Sequence, residues 1–385
     1  MLRIVYWTVL LVTALQLFAT VWILIPVPDA RLLPFGVGAP EVSPILLAGS
    51  LLLAIVAAAG SRRNKIARLA LVFSLISGSV SLLPILQLPS TLTRFDTLME
   101  PFPATPGHHM RVRPVELSEL FRPADPGDAT VIRGIEFAKP DGVPLRLDVY
   151  RPRVSGRFPV LVQIYGGGWR TGSAASYEWF ARYFASRGYV VVAIDYRHAP
   201  AWRWPEQLED VRSGIEWVAE HVHVYDGDPS RIVIVGRSSG AQLAMRMAYD
   251  EARSAIKAVV NFYGPVDLAD GWRHPPQPDP VNVRGLLEGF IGGTPNEMPD
   301  RYRHASPITY ASGRVPPTLH IYGARDHVVE ARFGRQIDQA LKKRGNTSVL
   351  LEVPWSEHAF DVLPNGLGGQ VSLYYTERFI AWALR

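Results

Sequence analysis

The sequence has 385 residues, 48% of them hydrophobic, with 32 glycines, 32 prolines and no cysteine. That apolar content and a net charge of only +5 exclude a mainly disordered chain, and the missing cysteines exclude a disulfide scaffold and any thiolate metal or redox site. The length predicts two or three domains, or one large α/β domain with an addition.

Charge is unevenly placed. Residues 1–90 hold eight charged side chains, Arg3, Asp29, Arg31, Glu41, Arg62, Arg63, Lys65 and Arg68, for a net +4. The rest of the chain holds 34 basic and 33 acidic groups, with no Lys/Arg run among aromatics, so no nucleic-acid partner is expected. Three apolar stretches fill the first segment: about 4–27, 44–60 and 69–88. About 20 apolar residues span a ~30 Å hydrocarbon core, so the first and third predict transmembrane helices. The second is short and relies on tilt or bilayer thinning to cross. A cleaved signal peptide is the rival reading for the first stretch, and buried soluble helices for all three.

Arg62, Arg63, Lys65 and Arg68 mark the loop Ser61–Arg68 as cytoplasmic. The N-terminus is then also inside, and three crossings put everything beyond Leu88 outside the cytoplasm. If the second stretch does not cross, the assignment reverses. The expectation is a multi-pass membrane protein with an extracytoplasmic C-terminal domain. Residues 91–130 are Pro-rich, with Glu100-Pro101-Phe102-Pro103 and Arg122-Pro123-Ala124-Asp125-Pro126, and read as an extended linker. His108-His109 within it lack further ligands at metal spacing and read as solvated.

From Val131 the pattern changes. Val131–Phe137 and Leu145–Tyr150 predict strands joined near Asp141-Gly142. Phe158–Tyr165, Val190–Asp195, Arg231–Val235, Ala258–Tyr263, Thr318–Tyr322 and Val349–Val353 are short apolar runs suited to strands buried on both faces. Helical spacing recurs in Tyr177–Arg187, Pro205–His221, Ala241–Tyr249, Ala331–Arg344 and Val371–Leu384. The expected fold class is α/β, a doubly wound, mostly parallel sheet over 131–385 preceded by an all-α region. Residues 267–307 break the alternation and are expected to cap the C-terminal strand edge.

Gly236-Arg237-Ser238-Ser239-Gly240 follows a strand and precedes a helix, the context in which G-x-S-x-G presents a serine Oγ on a tight elbow. A hydroxyl needs a base to become nucleophilic, and the base needs an orienting group. Asp326, in Gly323-Ala324-Arg325-Asp326, and His358, in Glu357-His358-Ala359-Phe360, each lie just past a predicted strand and supply both. Gly166-Gly167-Gly168-Trp169 follows another strand; the N–H groups of Gly167, Gly168 and Ser239 are the candidate oxyanion donors. No metal or cofactor is required by this set.

With these motifs, residues 131–385 resemble the α/β-hydrolase esterases and lipases with an HGGG-type loop, including the hormone-sensitive-lipase-like and feruloyl-esterase-like groups. Leu147-Asp148-Val149-Tyr150-Arg151-Pro152, Asp195-Tyr196-Arg197, Asp228-Pro229-Ser230-Arg231 and Ala305-Ser306-Pro307-Ile308 are similar to framework segments there. The resemblance implies an α/β-hydrolase fold and cleavage of small-molecule or lipid carboxylic esters through an acyl-enzyme. The same fold hosts amidases and peptidases, and a catalytically silent membrane receptor or scaffold is the alternative from another class. Which ester is cleaved, and the oligomeric state, are left open. Two departures stand out: Tyr165 occupies the position of the loop's usual histidine, and Arg237 that of an acid before the serine. Tyr165 is expected to hold the loop in place of histidine. Arg237 is expected to pair with a neighbouring carboxylate, with selection of anionic substrates as the rival role.

Overall fold

The computed structural model describes residues 2–62, 64–103, 110–250 and 256–385, so Arg63, His108 and His109 lie outside the described residues. Four helices come first: α1 (Leu2–Val21), α2 (Leu33–Glu41), α3 (Ser43–Ser61) and α4 (Lys65–Met99). α1, α3 and α4 are long and apolar enough to cross a membrane, with mean hydropathies of 2.0, 2.1 and 2.2. They leave large apolar side chains such as Leu11, Leu15, Leu52, Ile55, Leu75 and Leu86 exposed, a face unlike the surface of a water-soluble domain. α1 and α3 run antiparallel. Gln16 Nε2 donates to the Leu46 carbonyl at 2.5 Å and to Ser50 Oγ at 2.7 Å, while the Tyr6 ring meets Gly60.

The first helix ends at Val21 rather than Val27, because Pro26 and Pro28 cannot continue its hydrogen bonding. The third apolar stretch behaves in the opposite way: α4 passes Pro84 and Pro89 and continues to Met99. Its last turns carry Thr91, Phe95 and Met99 at helical spacing, and these bury against the C-terminal domain. Phe95 meets Tyr375 edge-to-face at 5.4 Å, and the Tyr375 hydroxyl donates to Asp96 at 2.8 Å. Phe102 packs on Trp382 at 4.8 Å, and the Arg111 N–H donates to Glu377 at 2.9 Å. The described part of 91–130 is therefore largely packed rather than an extended linker. Burial of aromatic side chains outweighs the helix bonds lost at the prolines.

The C-terminal domain is an eight-stranded sheet: β1 (Thr130–Ala138), β2 (Leu145–Arg151), β3 (Phe158–Ile164), β4 (Val190–Ile194), β5 (Gly227–Arg237), β6 (Ile256–Phe262), β7 (Thr318–Gly323) and β8 (Ser348–Val353). The spatial order is β1-β2-β4-β3-β5-β6-β7-β8. β1 and β2 form the antiparallel edge, and β3 to β8 are parallel. Val-, Ile- and Leu-rich strands suit this arrangement because helices cover both faces. The covering helices are α5 (Glu178–Ala185), α6 (Glu206–His221), α7 (Ser239–Asp250), α11 (Arg332–Lys343) and α12 (Leu367–Ala383), with α8 (Leu268–Arg273), α9 (Val283–Ile291) and α10 (Pro299–Ala305) inserted between β6 and β7. The chain runs from β3 to β4 on one side and then crosses to β5 on the other, so the order reverses at β3, where ligands bind in such sheets. Helices α8, α9 and α10 fall within 267–307, and residues from this stretch wall the cavity at the C-terminal strand ends.

Candidate active site

Register brings the motifs together. Ile164 pairs with Gly236, so the chain leaves β3 into Tyr165-Gly166 beside the chain leaving β5 into Ser238. Gly323 pairs with Val353, which does the same for the loops carrying Asp326 and His358. Ser238 sits at φ +52°, a left-handed conformation rare for residues other than glycine, which lifts its side chain off the strand before α7 begins. The turn needs its glycines. A Cβ on Gly236 would lie 2.5 Å from the Ala241 Cα, and one on Gly240 would collide with the Tyr165 carbonyl.

Ser238 Oγ donates to His358 Nε2 at 3.0 Å, and His358 Nδ1 donates to Asp326 Oδ2 at 2.7 Å. The other Asp326 oxygen accepts from the N–H groups of Val328 and Val329 at 2.8 and 2.7 Å, which fixes the carboxylate. Glu357 ties the two loops together, accepting from His327 N and facing His327 Nδ1, both at 2.6 Å. His327 thus has a bracing role that its position in the sequence did not suggest. Gly167, Gly168, Ser238, Ser239 and His358 line one cavity of about 1070 Å³. Among the described residues no protein acceptor takes the N–H of Gly167 or Gly168. The N–H of Ser239 opens α7 and so has no partner within the helix.

Burial by itself lowers the pKa of His358, but the charge and hydrogen bond of Asp326 outweigh it and hold the imidazole above its ordinary value. A general base must be neutral, so kcat/KM should fall as pH drops through this raised pKa. Asp326→Asn removes the charge, and a pH–rate profile should then show the acid limb moved to lower pH, with the rate down about 10⁴-fold. A limb that stays in place would remove His358 from the base role.

Tyr165 is almost fully buried. Its hydroxyl donates to Asp195, lies 2.8 Å from His198 Nε2, and its ring stacks on Tyr196 at 4.5 Å. The root of the glycine loop is thereby tied to the loop after β4. Asp195 and His198 were not among the sequence-derived site residues; a buried phenol at a loop root, which needs a partner, was the available signal. Tyr165→Phe should lower kcat/KM roughly 10- to 100-fold by loosening the loop, while the native protein stays active. A native protein that is inert while Tyr165→His is active would overturn this role.

Arg237 pairs with a carboxylate. Its Nε donates to Asp361 Oδ2 at 2.6 Å, its guanidinium lies 4.3 Å from the Tyr177 and Phe180 ring centres, and its side chain is 1% exposed. Asp361 also accepts from the Tyr263 hydroxyl, and the Tyr263 ring packs on His358 at 4.6 Å. Asp361 carries no motif of its own, but a buried arginine demands an anion.

Residues 1–90 reach this site as well. Glu41, fully buried, accepts from Ser356 Oγ at 2.6 Å and from the N–H groups of Gly368 and Gly369 at 2.6 and 3.2 Å. Burial pushes its carboxyl up to about 7 despite these donors. Arg325, next to Asp326, donates to the Leu24 carbonyl at 2.6 Å.

The probable carboxylic ester hydrolase LipM of Mycobacterium tuberculosis (strain ATCC 25618 / H37Rv) is 32% identical over 255 residues, covering 61% of this chain and 57% of that protein. Esterase LipQ of the same organism is 30% identical over 275 residues, covering 68% and 61%. A solved esterase of Pyrobaculum calidifontis aligns over 66% of this chain and 85% of its own, with 27% identity and a TM-score of 0.56. The chain thus spans about three fifths of the length of these curated relatives. The BD-FAE family profile matches residues 147–341, just over half of the chain, a segment that holds the glycine loop, Ser238 and Asp326. The chain belongs to the BD-FAE family.

Proposed function

We propose that this protein is a membrane-anchored serine hydrolase that cleaves carboxylic esters through an acyl-enzyme. Ser238 is the nucleophile, His358 the base and acid, and Asp326 the group that fixes the imidazole tautomer. The N–H groups of Gly167, Gly168 and Ser239 receive the oxyanion. The observation that carries this reading is the unbroken relay from Asp326 through His358 to Ser238, at 2.7 and 3.0 Å, facing the glycine loop across one cavity. Family membership and relatives named as esterases support it.

In the first half-reaction His358 Nε2 takes the Ser238 proton as Oγ bonds to the ester carbonyl carbon, and the carbonyl π pair moves onto oxygen. The intermediate collapses, the bond to the alkoxide breaks, and His358 returns the proton so that an alcohol leaves. Water then loses a proton to His358 and attacks the acyl carbon; the acyl–Oγ bond breaks as His358 returns that proton to Ser238 Oγ, releasing a carboxylic acid. Oriented donors at the oxyanion contribute a few kcal/mol each, about 3 in comparable sites. A fluorophosphonate probe and a p-nitrophenyl ester series test the reading: labelling and hydrolysis should occur and both vanish in His358→Ala. Folded protein that is neither labelled nor active would establish the scaffold reading, and faster cleavage of matched anilides would establish an amidase.

The exposed apolar faces of α1, α3 and α4 supply the anchor. Arg62, Lys65 and Arg68 lie where α3 passes to α4, at the end of the bundle opposite α2 and its docking on the catalytic domain. The positive-inside rule then puts the catalytic domain outside the cytoplasm. The native chain has no cysteine, so single-cysteine variants report topology without background. In intact cells an impermeant maleimide should label Val154→Cys, on the exposed catalytic surface, and should reach Arg62→Cys only after permeabilisation. The reverse pattern would invert the assignment.

A further inference from the structure

We propose that the substrate is a membrane-resident amphiphile whose hydrocarbon chain enters the catalytic cavity from the bilayer, past the connection between α1 and α3. The inference rests on the serine-esterase reading above and adds the class of ester and its route.

The cavity is not enclosed by the catalytic domain alone. Ala30 and Leu33, from the stretch between two membrane-length helices, form part of its wall together with the cap residues Leu286 and Leu287. At about 1070 Å³ it exceeds the roughly 300–1,000 Å³ of ordinary small-molecule pockets. Apart from the catalytic groups its lining is largely apolar, with Trp169, Val283 and Phe333 among the side chains that would meet a chain.

The connection is clamped to the catalytic loops at both ends. Arg325 holds the Leu24 carbonyl beside the Asp326 loop, and Glu41 holds Ser356 beside the His358 loop. Ile23 and Val27 are buried, and Gly36 packs between Val27 and Glu357. The two clamps sit close to the helix ends, Leu24 just past Val21 and Glu41 just before Ser43, so the connection that carries Ala30 and Leu33 is held against the catalytic loops from both sides. On the outer side of the same connection Leu24, Ile25 and Phe35 are 46%, 51% and 41% exposed. Phe35 stacks edge-to-face on Phe18 at 5.4 Å, and Phe18 on Trp22 at 5.6 Å, an aromatic cluster of the kind that settles at a membrane interface. One segment thus presents apolar side chains to the outside, at Leu24, Ile25 and Phe35, and to the cavity, at Leu33, and this is the route assigned to the hydrocarbon chain.

The test uses full-length protein in phosphatidylcholine nanodiscs with two fluorogenic esters of one alcohol: 4-methylumbelliferyl palmitate, which partitions into the bilayer, and the water-soluble acetate. The native protein should favour the palmitate by at least about 10-fold in kcat/KM, as expected when many methylenes are buried. The variant Leu24→Ser/Ile25→Ser/Phe35→Ser strips apolar side chains from the exposed side, keeps the backbone carbonyl that Arg325 holds, and should lose at least about 10-fold on the palmitate while the acetate rate holds. Leu33→Trp, which fills the wall, should shift the chain-length optimum of a soluble p-nitrophenyl ester series toward short acyl groups. Acetate and palmitate cleaved alike, an outer-face variant that leaves the palmitate rate intact, or an unmoved chain-length optimum would each overturn the bilayer route. In all those cases Ser238-dependent fluorophosphonate labelling persists. Loss of labelling and of all ester hydrolysis in the native protein instead defeats the esterase reading.

Discussion

Ser238→Ala should lower kcat for ester hydrolysis by at least about 10⁴-fold and abolish fluorophosphonate labelling, without lowering the unfolding temperature. The loss is large because no other group near the glycine loop replaces the lost Oγ: the next hydroxyl in sequence, Ser239, starts α7 and does not contact His358. The fold should be indifferent because alanine meets the same constraint at φ +52° as serine does, and the Oγ removed makes one hydrogen bond, to His358. Residual rate would reflect the oxyanion donors and the cavity alone, so the floor should lie above the uncatalysed reaction. Comparing kcat on a p-nitrophenyl ester with a thermal melt separates the chemical role from a structural one. A variant retaining a tenth of the native rate would remove Ser238 from the mechanism.

Arg237→Ala should destabilise the protein by about 3–5 kcal/mol, because it leaves Asp361 buried without its cation. For a domain of this size that is a fall in Tm on the order of 10 °C. The guanidinium packs among Tyr177, Phe180 and Phe262, and the Asp361 side chain is 6% exposed, so bulk water compensates neither charge well. Replacing both partners, as Arg237→Met with Asp361→Leu, should recover most of the loss, since an apolar pair of similar volume incurs no desolvation cost. Activity of Arg237→Ala should fall through Tyr263 and His358, and by the same factor on anionic and neutral esters. A selective loss on anionic esters would give Arg237 a part in substrate choice.

The residues that the fold brings together around Ser238 could be picked out in the sequence because each sits in a local context with its own physical signature. A nucleophile elbow needs glycines around the serine, and glycine loops and strand-end acids follow apolar runs that declare themselves as buried strands. Partners were not legible. Nothing near Tyr165 in sequence predicts Asp195 and His198, and nothing near Arg237 predicts Asp361, because these contacts form only when separate loops meet at one end of the sheet. The same holds for the end of α4: the apolar stretch closes near residue 88, and the helix runs on to Met99 because Phe95 and Met99 bury against the C-terminal domain.

By itself the sequence determined the alternation of strands and helices, the location of the apolar helices and which residues to propose for the active site, since periodicity and turn chemistry are properties of neighbours along the chain. Charge belongs to the same class: four of the five net positive charges fall within residues 1–90, among the apolar helices, and the remaining residues are close to neutral. Only the tertiary structure decided how those 90 residues relate to the rest. Glu41 is an unremarkable acid between two apolar stretches until it is found buried against Ser356, Gly368 and Gly369. Leu33 is one leucine among many until it walls the cavity that holds Ser238. Both roles depend on contacts across some 200 to 300 residues of chain, and no local pattern encodes a contact at that separation.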